Sequence, residues 1–81
     1  MQAEVVRDQL RARPFRPFRI VLATGETLAV RHPEMLAVGG RTAVLIDEDD
    51  RTHFVDVGLV VKLESDAPAP AGQVREGEGG E

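Results

Sequence analysis

Residues 14–34 read PFRPFRIVLATGETLAVRHPE, and their order dictates a β-hairpin. Pro14 and Pro17 each fix φ at about −65° and push the preceding residue toward extended backbone, so the chain arrives extended. Apolar side chains then alternate at Phe18, Ile20 and Leu22, and again at Leu28 and Val30 beyond a Gly-containing turn. That period belongs to half-buried strands. Two registers compete. A two-residue loop at Thr24-Gly25 sets Leu22 on one face with Thr27, Ala29 and Arg31, which wastes the pattern. A three-residue loop, Ala23-Thr24-Gly25, sets Leu22 opposite Glu26, Ile20 opposite Leu28 and Phe18 opposite Val30. It gathers every large apolar residue except Val21 on one face, and puts Gly25 where a bulged turn needs left-handed backbone. A one-residue slip would turn that whole face to water, so burial selects the second register.

Upstream, residues 2–12 predict a short helix. Val5, Val6 and Leu10 share a side, Arg7 and Arg11 stand four apart, and no Gly or Pro intervenes. Pro14 ends it. So short a helix is marginal alone and must dock on the strands. Downstream, His32-Pro33-Glu34 closes the second strand, and Pro33 is suited to open one tight helical turn. Leu36–Val38, Thr42–Ile46, Thr52–Val57 and Val60–Leu63 read as further strands. Gly39-Gly40 and the acidic run 47–50 are turns, and Gly58 breaks the last connection. The register of the pair 42–46 and 52–57 stays open, because Phe54 and Val55 claim opposite faces. The expected fold is therefore mainly β: a short N-terminal helix followed by about five short antiparallel strands. Closure into a small Sm-like or SH3-like barrel would hide their edges.

The chain has 81 residues, which allows one domain. From Ser65 it reads SDAPAPAGQVREGEGGE, with Val74 its only large apolar residue. Such a composition cannot offset its ordering entropy. The expected division is a folded body, residues 1–64, and a disordered acidic tail, residues 65–81. A body of that size buries only about 60% of the surface its unfolded chain exposes, so it needs a staple or a partner. There is no cysteine, which removes disulfides and thiolate metal sites and leaves oligomerisation. The lack of cysteine, of a hydrophobic leader and of any long apolar run points to the cytoplasm and away from membranes.

The formal charge of −4 is carried mostly by the tail, and the body is near neutral at −1. Within the body, Arg7, Arg11, Arg13, Arg16 and Arg19 crowd the front, while Asp47, Glu48, Asp49 and Asp50 sit together later. In the chosen register Arg19 and Arg31 are diagonal neighbours on the outer face, and Glu34 is a candidate internal counter-charge. Arg16, Arg19 and Arg31 are accordingly the candidate partner-binding residues.

The Pro-Phe-x-Pro-Phe opening at residues 14–18, the strand-turn-strand and the His-Pro-Glu motif at residues 32–34 resemble a family of small uncharacterised bacterial proteins. The resemblance covers most of the body and none of the tail. It implies a bacterial cytoplasmic origin and a compact β domain, and it brings no activity.

Other candidate chemistry is thin. His32, Glu34, His53 and Asp56 are a conceivable ligand set. But Pro33 bends the chain between the first two, and parity puts the last two on opposite strand faces. The run 47–50 lacks the loop pattern of a calcium site, since Arg51 and Thr52 stand where an oxygen ligand and Gly belong. The PxxP spacing of residues 14–17 suits an SH3 ligand, but it leads straight into a strand whose phenylalanines belong in the core. No nucleophile stands beside a base, and Ser65 is the only serine. The expectation is a non-catalytic interaction module without cofactor or metal, self-associating or binding a protein. The alternative is an Sm-like RNA- or DNA-binding module using the arginine-rich front with Phe15 as a stacking surface.

Overall fold

The first hairpin forms in the register that burial selects. In the computed structural model, which describes residues 1–65, strands β1 (Phe18–Leu22) and β2 (Thr27–Val30) pair Phe18 with Val30 and Ile20 with Leu28. The Leu22 N–H donates to Glu26 O at 2.9 Å and the Gly25 N–H to Leu22 O at 2.8 Å. Gly25 has φ 94°, the left-handed conformation that the bulged three-residue loop requires.

Two sheets share one core. Helix α1 (Ala3–Arg11) is followed by β1, β2, β3 (Leu36–Val38), β4 (Thr42–Ile46), β5 (Thr52–Asp56) and β6 (Val60–Ser65). All pairs are antiparallel, in the orders β2-β1-β6 and β3-β4-β5. The first sheet and the helix supply Val6, Phe18, Ile20, Leu28 and Val30 to the core, and the second supplies Leu36, Ala43, Leu45 and Val55. The sheets meet at a 3-10 turn, Val57–Leu59, capped by Asp56, whose Oδ1 accepts the Gly58 N–H at 2.9 Å. Val57 and Val60 at this corner complete the core.

The structure differs from expectation in several particulars. There are six strands rather than about five. Among the described residues they form two three-stranded sheets, and no strand pairing closes them into a barrel. Pro33 gives a reason: β2 stops at Val30, and Pro33 starts a 3-10 turn, Pro33–Met35, before β3 begins. The chain that could have run as one bent strand from sheet to sheet is interrupted by a residue without an N–H. Phe15 half-buries against the core, its ring centroid 6.1 Å from that of Phe18. In α1, Val6 is buried and Leu10 packs against the core, but Val5 is 46% exposed. Adjacent helical residues point about 100° apart, so one of the two valines must face water. Arg7 fastens the helix to the β3–β4 turn, its Nη2 donating to Gly39 O at 3.0 Å.

The expected tail, residues 65–81, lies outside the described residues except for Ser65, which ends β6 opposite Phe18. Among the described residues no helix is long and apolar enough to cross a membrane.

Candidate interaction surface

The acidic run 47–50 builds a loop that aims β5. Asp47 N–H donates to Arg51 O and Asp50 N–H to Asp47 O, both at 2.9 Å, and Asp50 has φ 65°. This repeats the loop of the first hairpin, with Asp50 in the place of Gly25. The Asp47 carboxylate organises it. Its Oδ1 accepts the amides of Asp49 and Arg51 at 2.9 Å each, and its Oδ2 stands 2.8 Å from His53 Nε2. A carboxylate only accepts, so His53 Nε2 donates. These bonds, led by the one from His53 and opposed by partial desolvation, hold the Asp47 carboxyl below its ordinary pKa.

A hairpin so pinned has one register, Ala43 opposite Val55 and Val44 opposite Phe54. Val55 turns inward and is buried, so Phe54 must turn outward, and it is 78% exposed. That settles the faces that Phe54 and Val55 contested in the sequence. Around Phe54 on the outer face lie half-buried Val44 and exposed Ala37, Ile46, Thr42, Thr52 and Asp56. No other large apolar side chain of the described residues is as exposed as Phe54.

The strand that carries it is a sheet edge. β5 pairs with β4 alone among the described residues. The bonds closing the hairpin at Asp47–Arg51, and the one from Val57 N–H to Arg41 O at its other end, direct the odd-numbered backbone groups toward β4. The N–H groups of Thr52, Phe54 and Asp56 therefore point to the open side. Exposed edges are normally guarded by charge, bulges, shortness or a covering element. β6 has Lys62 and Glu64 and a register irregularity opposite Val21/Leu22. β3 has three residues with α1 packed beside it. β2 lines a cleft of about 350 Å³ against the β4–β5 hairpin. β5 runs regularly for five residues, without Pro, Lys or bulge.

Arg19 lies opposite Ala29, as the chosen register requires, and the counter-charges of Arg19 and Arg31 are other than Glu34. Arg19 sits directly across from Glu64 on β6, and its Nη2 lies 3.2 Å from Glu64 Oε1. Lys62 Nζ reaches Glu64 Oε2 at 2.9 Å, and these cations, Lys62 first, lower the Glu64 pKa. Arg31 Nε pairs with Glu48 Oε2 at 3.2 Å, so its counter-charge comes from the hairpin tip rather than from Glu34. Arg16 is exposed in the segment before β1.

The residues weighed as a ligand set are dispersed. His32 and Glu34 are exposed at the Pro33 turn, His53 is spent on Asp47, and Asp56 caps the corner. Among the described residues no group of three or more His, Cys, Asp or Glu could hold a metal ion. The Asp47–His53 contact was absent from the sequence reading. Its signal was there, since a three-residue loop over 48–50 brings residues 47 and 53 to one face as diagonal neighbours. Comparison with protein-family models, with curated proteins and with solved structures finds no match for this chain.

Proposed function

We propose that this protein is a non-catalytic interaction module that associates through the edge and outer face of β5. The observation that carries the reading is Phe54: a large aromatic side chain, mostly exposed, at the centre of an unguarded edge strand. Edge strands bind by strand addition, in which backbone bonds supply affinity and alternate side chains supply selectivity. Phe54 with Val44 and Ile46 would serve as the selective face. Arg19 and Arg31 already have acidic partners on their own chain, which lowers their pull on an external anion. The same reading takes the two sheets, joined at the Val57–Leu59 corner over one core, as halves of a partly open Sm-like or SH3-like barrel. That is an analogy of fold and brings no activity with it.

Residue-resolved amide NMR of the ¹⁵N-labelled chain tests it, recorded dilute, concentrated, and in a soluble extract of the cells that produce the protein. Signals of residues 52–56, with Val44 and Ile46, are expected to shift or broaden first. Perturbation centred on Arg16, Arg19 and Arg31 would instead favour the arginine face. A spectrum unchanged under all three conditions would refute the module.

A further inference from the structure

Resting on that reading, we propose that the partner of β5 is β5 of a second copy, paired antiparallel about a twofold axis through Phe54. Of the symmetric registers open to this edge, one is the most self-complementary. The groups pointing outward belong to residues 52, 54 and 56, so a symmetric pair centres on one of these, or on residue 53 or 55 with the outward groups of its two neighbours exchanging bonds. Centring on His53 opposes Asp56 to Asp50, and centring on Val55 sets each Phe54 ring against an Asp56 carboxylate. Centring on Asp56 opposes two carboxylates. Centring on Thr52 brings Asp56 opposite Glu48 and Phe54 opposite Asp50, which drives the acidic tip of each copy onto the other's strand. Centring on Phe54 sets Thr52 opposite Asp56 twice, each hydroxyl able to donate to a carboxylate, and opposes no two like charges. Asp56 has no ion-pair partner among the described residues, so its carboxylate is open to the Thr52 hydroxyl of the other copy. Like charges directly opposed are unfavourable, which weighs against centres at 52, 53 and 56, and pairing ring with ring and hydroxyl with carboxylate favours Phe54 over Val55.

The geometry also answers the exposed ring. At the twofold, the two Phe54 residues exchange backbone bonds, with Cα atoms about 5.5 Å apart. Their rings lie side by side on the outer face, each covering the other and flanked by Val44 and Ile46. The Asp56 N–H donates to the facing Thr52 carbonyl on either side. The two β3-β4-β5 sheets become one continuous sheet, and the edge is consumed. Closing on itself, the interface makes a dimer and stops there.

The full 81-residue chain carries no cysteine, which makes a direct test available. A Cα separation of about 5.5 Å suits a disulfide, so Phe54→Cys should give a covalent dimer under mild oxidation. Leu59→Cys, at a comparably exposed site away from the axis, should cross-link far more slowly. By sedimentation velocity the parent should show twice its 8.8 kDa mass. Phe54→Lys should weaken the dimer roughly tenfold or more, through opposed charges and a lost ring pair. Its circular dichroism should remain that of the parent, and so should its thermal midpoint when both are dilute enough to be monomeric, which separates lost association from lost fold. A parent that stays monomeric at millimolar concentration, a ring larger than a dimer, or equal cross-linking of the two cysteine variants would overturn the twofold pairing. The interaction-module reading would survive such a result if extract still perturbs β5 in the NMR experiment, and would fall with it if extract does not.

Discussion

The two hairpin loops invite a paired experiment, because they have one geometry and different residues at its strained point. Gly25 has φ 94° and Asp50 has φ 65°, each third in its loop with the same closing bonds. Left-handed backbone costs an L-residue about 1–2 kcal/mol. A glycine gives back about 0.4–1 kcal/mol through the greater freedom of the unfolded chain. The difference predicts that Asp50→Gly stabilises the fold by about 0.5–1 kcal/mol. Gly25→Ala should destabilise it by a similar amount, with no steric contribution, since a Cβ there would meet nothing within 4 Å. Urea unfolding reads both. With a slope of roughly 1 kcal/mol per molar for so small a body, the midpoints should move by about 0.5–1 M in opposite directions. A Gly25→Ala midpoint equal to the parent's would refute the left-handed loop. An Asp50→Gly midpoint below the parent's would show that the Asp50 side chain supports the tip more than its backbone strains it.

Two further outcomes follow from burial and charge. Phe18 is 1% exposed, so Phe18→Ala should cost about 3–5 kcal/mol, enough to unfold a domain of marginal stability. Phe54→Ala should stay within about 0.5 kcal/mol in the dilute monomer, and equal losses in thermal melts would contradict the assignment of faces. The carboxyls of Asp47 and Glu64 are both held below their ordinary values, 3.8 and 4.5. The unfolded chain therefore takes up their protons first as the medium is acidified. Their stabilisation is complete above those values and is lost as pH falls through the folded ones. Stability should drop below about pH 4.5, and Asp47→Asn with Glu64→Gln should flatten that limb in a series of urea melts. An unchanged limb would show that neither carboxylate is bound as described.

The parts of the fold legible in the sequence are those where one physical term dominates. For residues 18–30, the wrong register would have exposed Phe18, Ile20, Leu28 and Val30 together, so no turn preference could compete. The second hairpin offered no such contrast, with Phe54 and Val55 adjacent and nearly equal in what burial gains. What decided between them was Asp47, whose carboxylate ties the amides of Asp49 and Arg51 and the ring of His53. A carboxylate in an acidic run reads as solvated, and only the folded loop reveals that it is the anchor. How the two sheets associate is illegible for a related reason. Pro33 is legible as the start of a turn, but whether that turn bends one strand or separates two depends on how the sheets pack.

The same contest explains why the exposed face of β5 is hard to read in the sequence while the arginines stand out. Arginine charge is visible in one dimension, but its cancellation is not: Glu64 lies 45 positions from Arg19 and is its direct cross-strand neighbour. An exposed aromatic is invisible in one dimension, because every Phe in a small β protein looks like core. Phe15 and Phe18 do pack there. A short body with one shared core can cover only the inner face of each sheet, so an aromatic placed one residue out of phase with Val55 must lie on the surface. Large apolar groups left exposed on an open edge favour association, and β5 combines the exposed ring with unpaired backbone. On the proposed reading, the conflict between Phe54 and Val55 is the trace that the β5 surface leaves in the sequence, as an ambiguity of register.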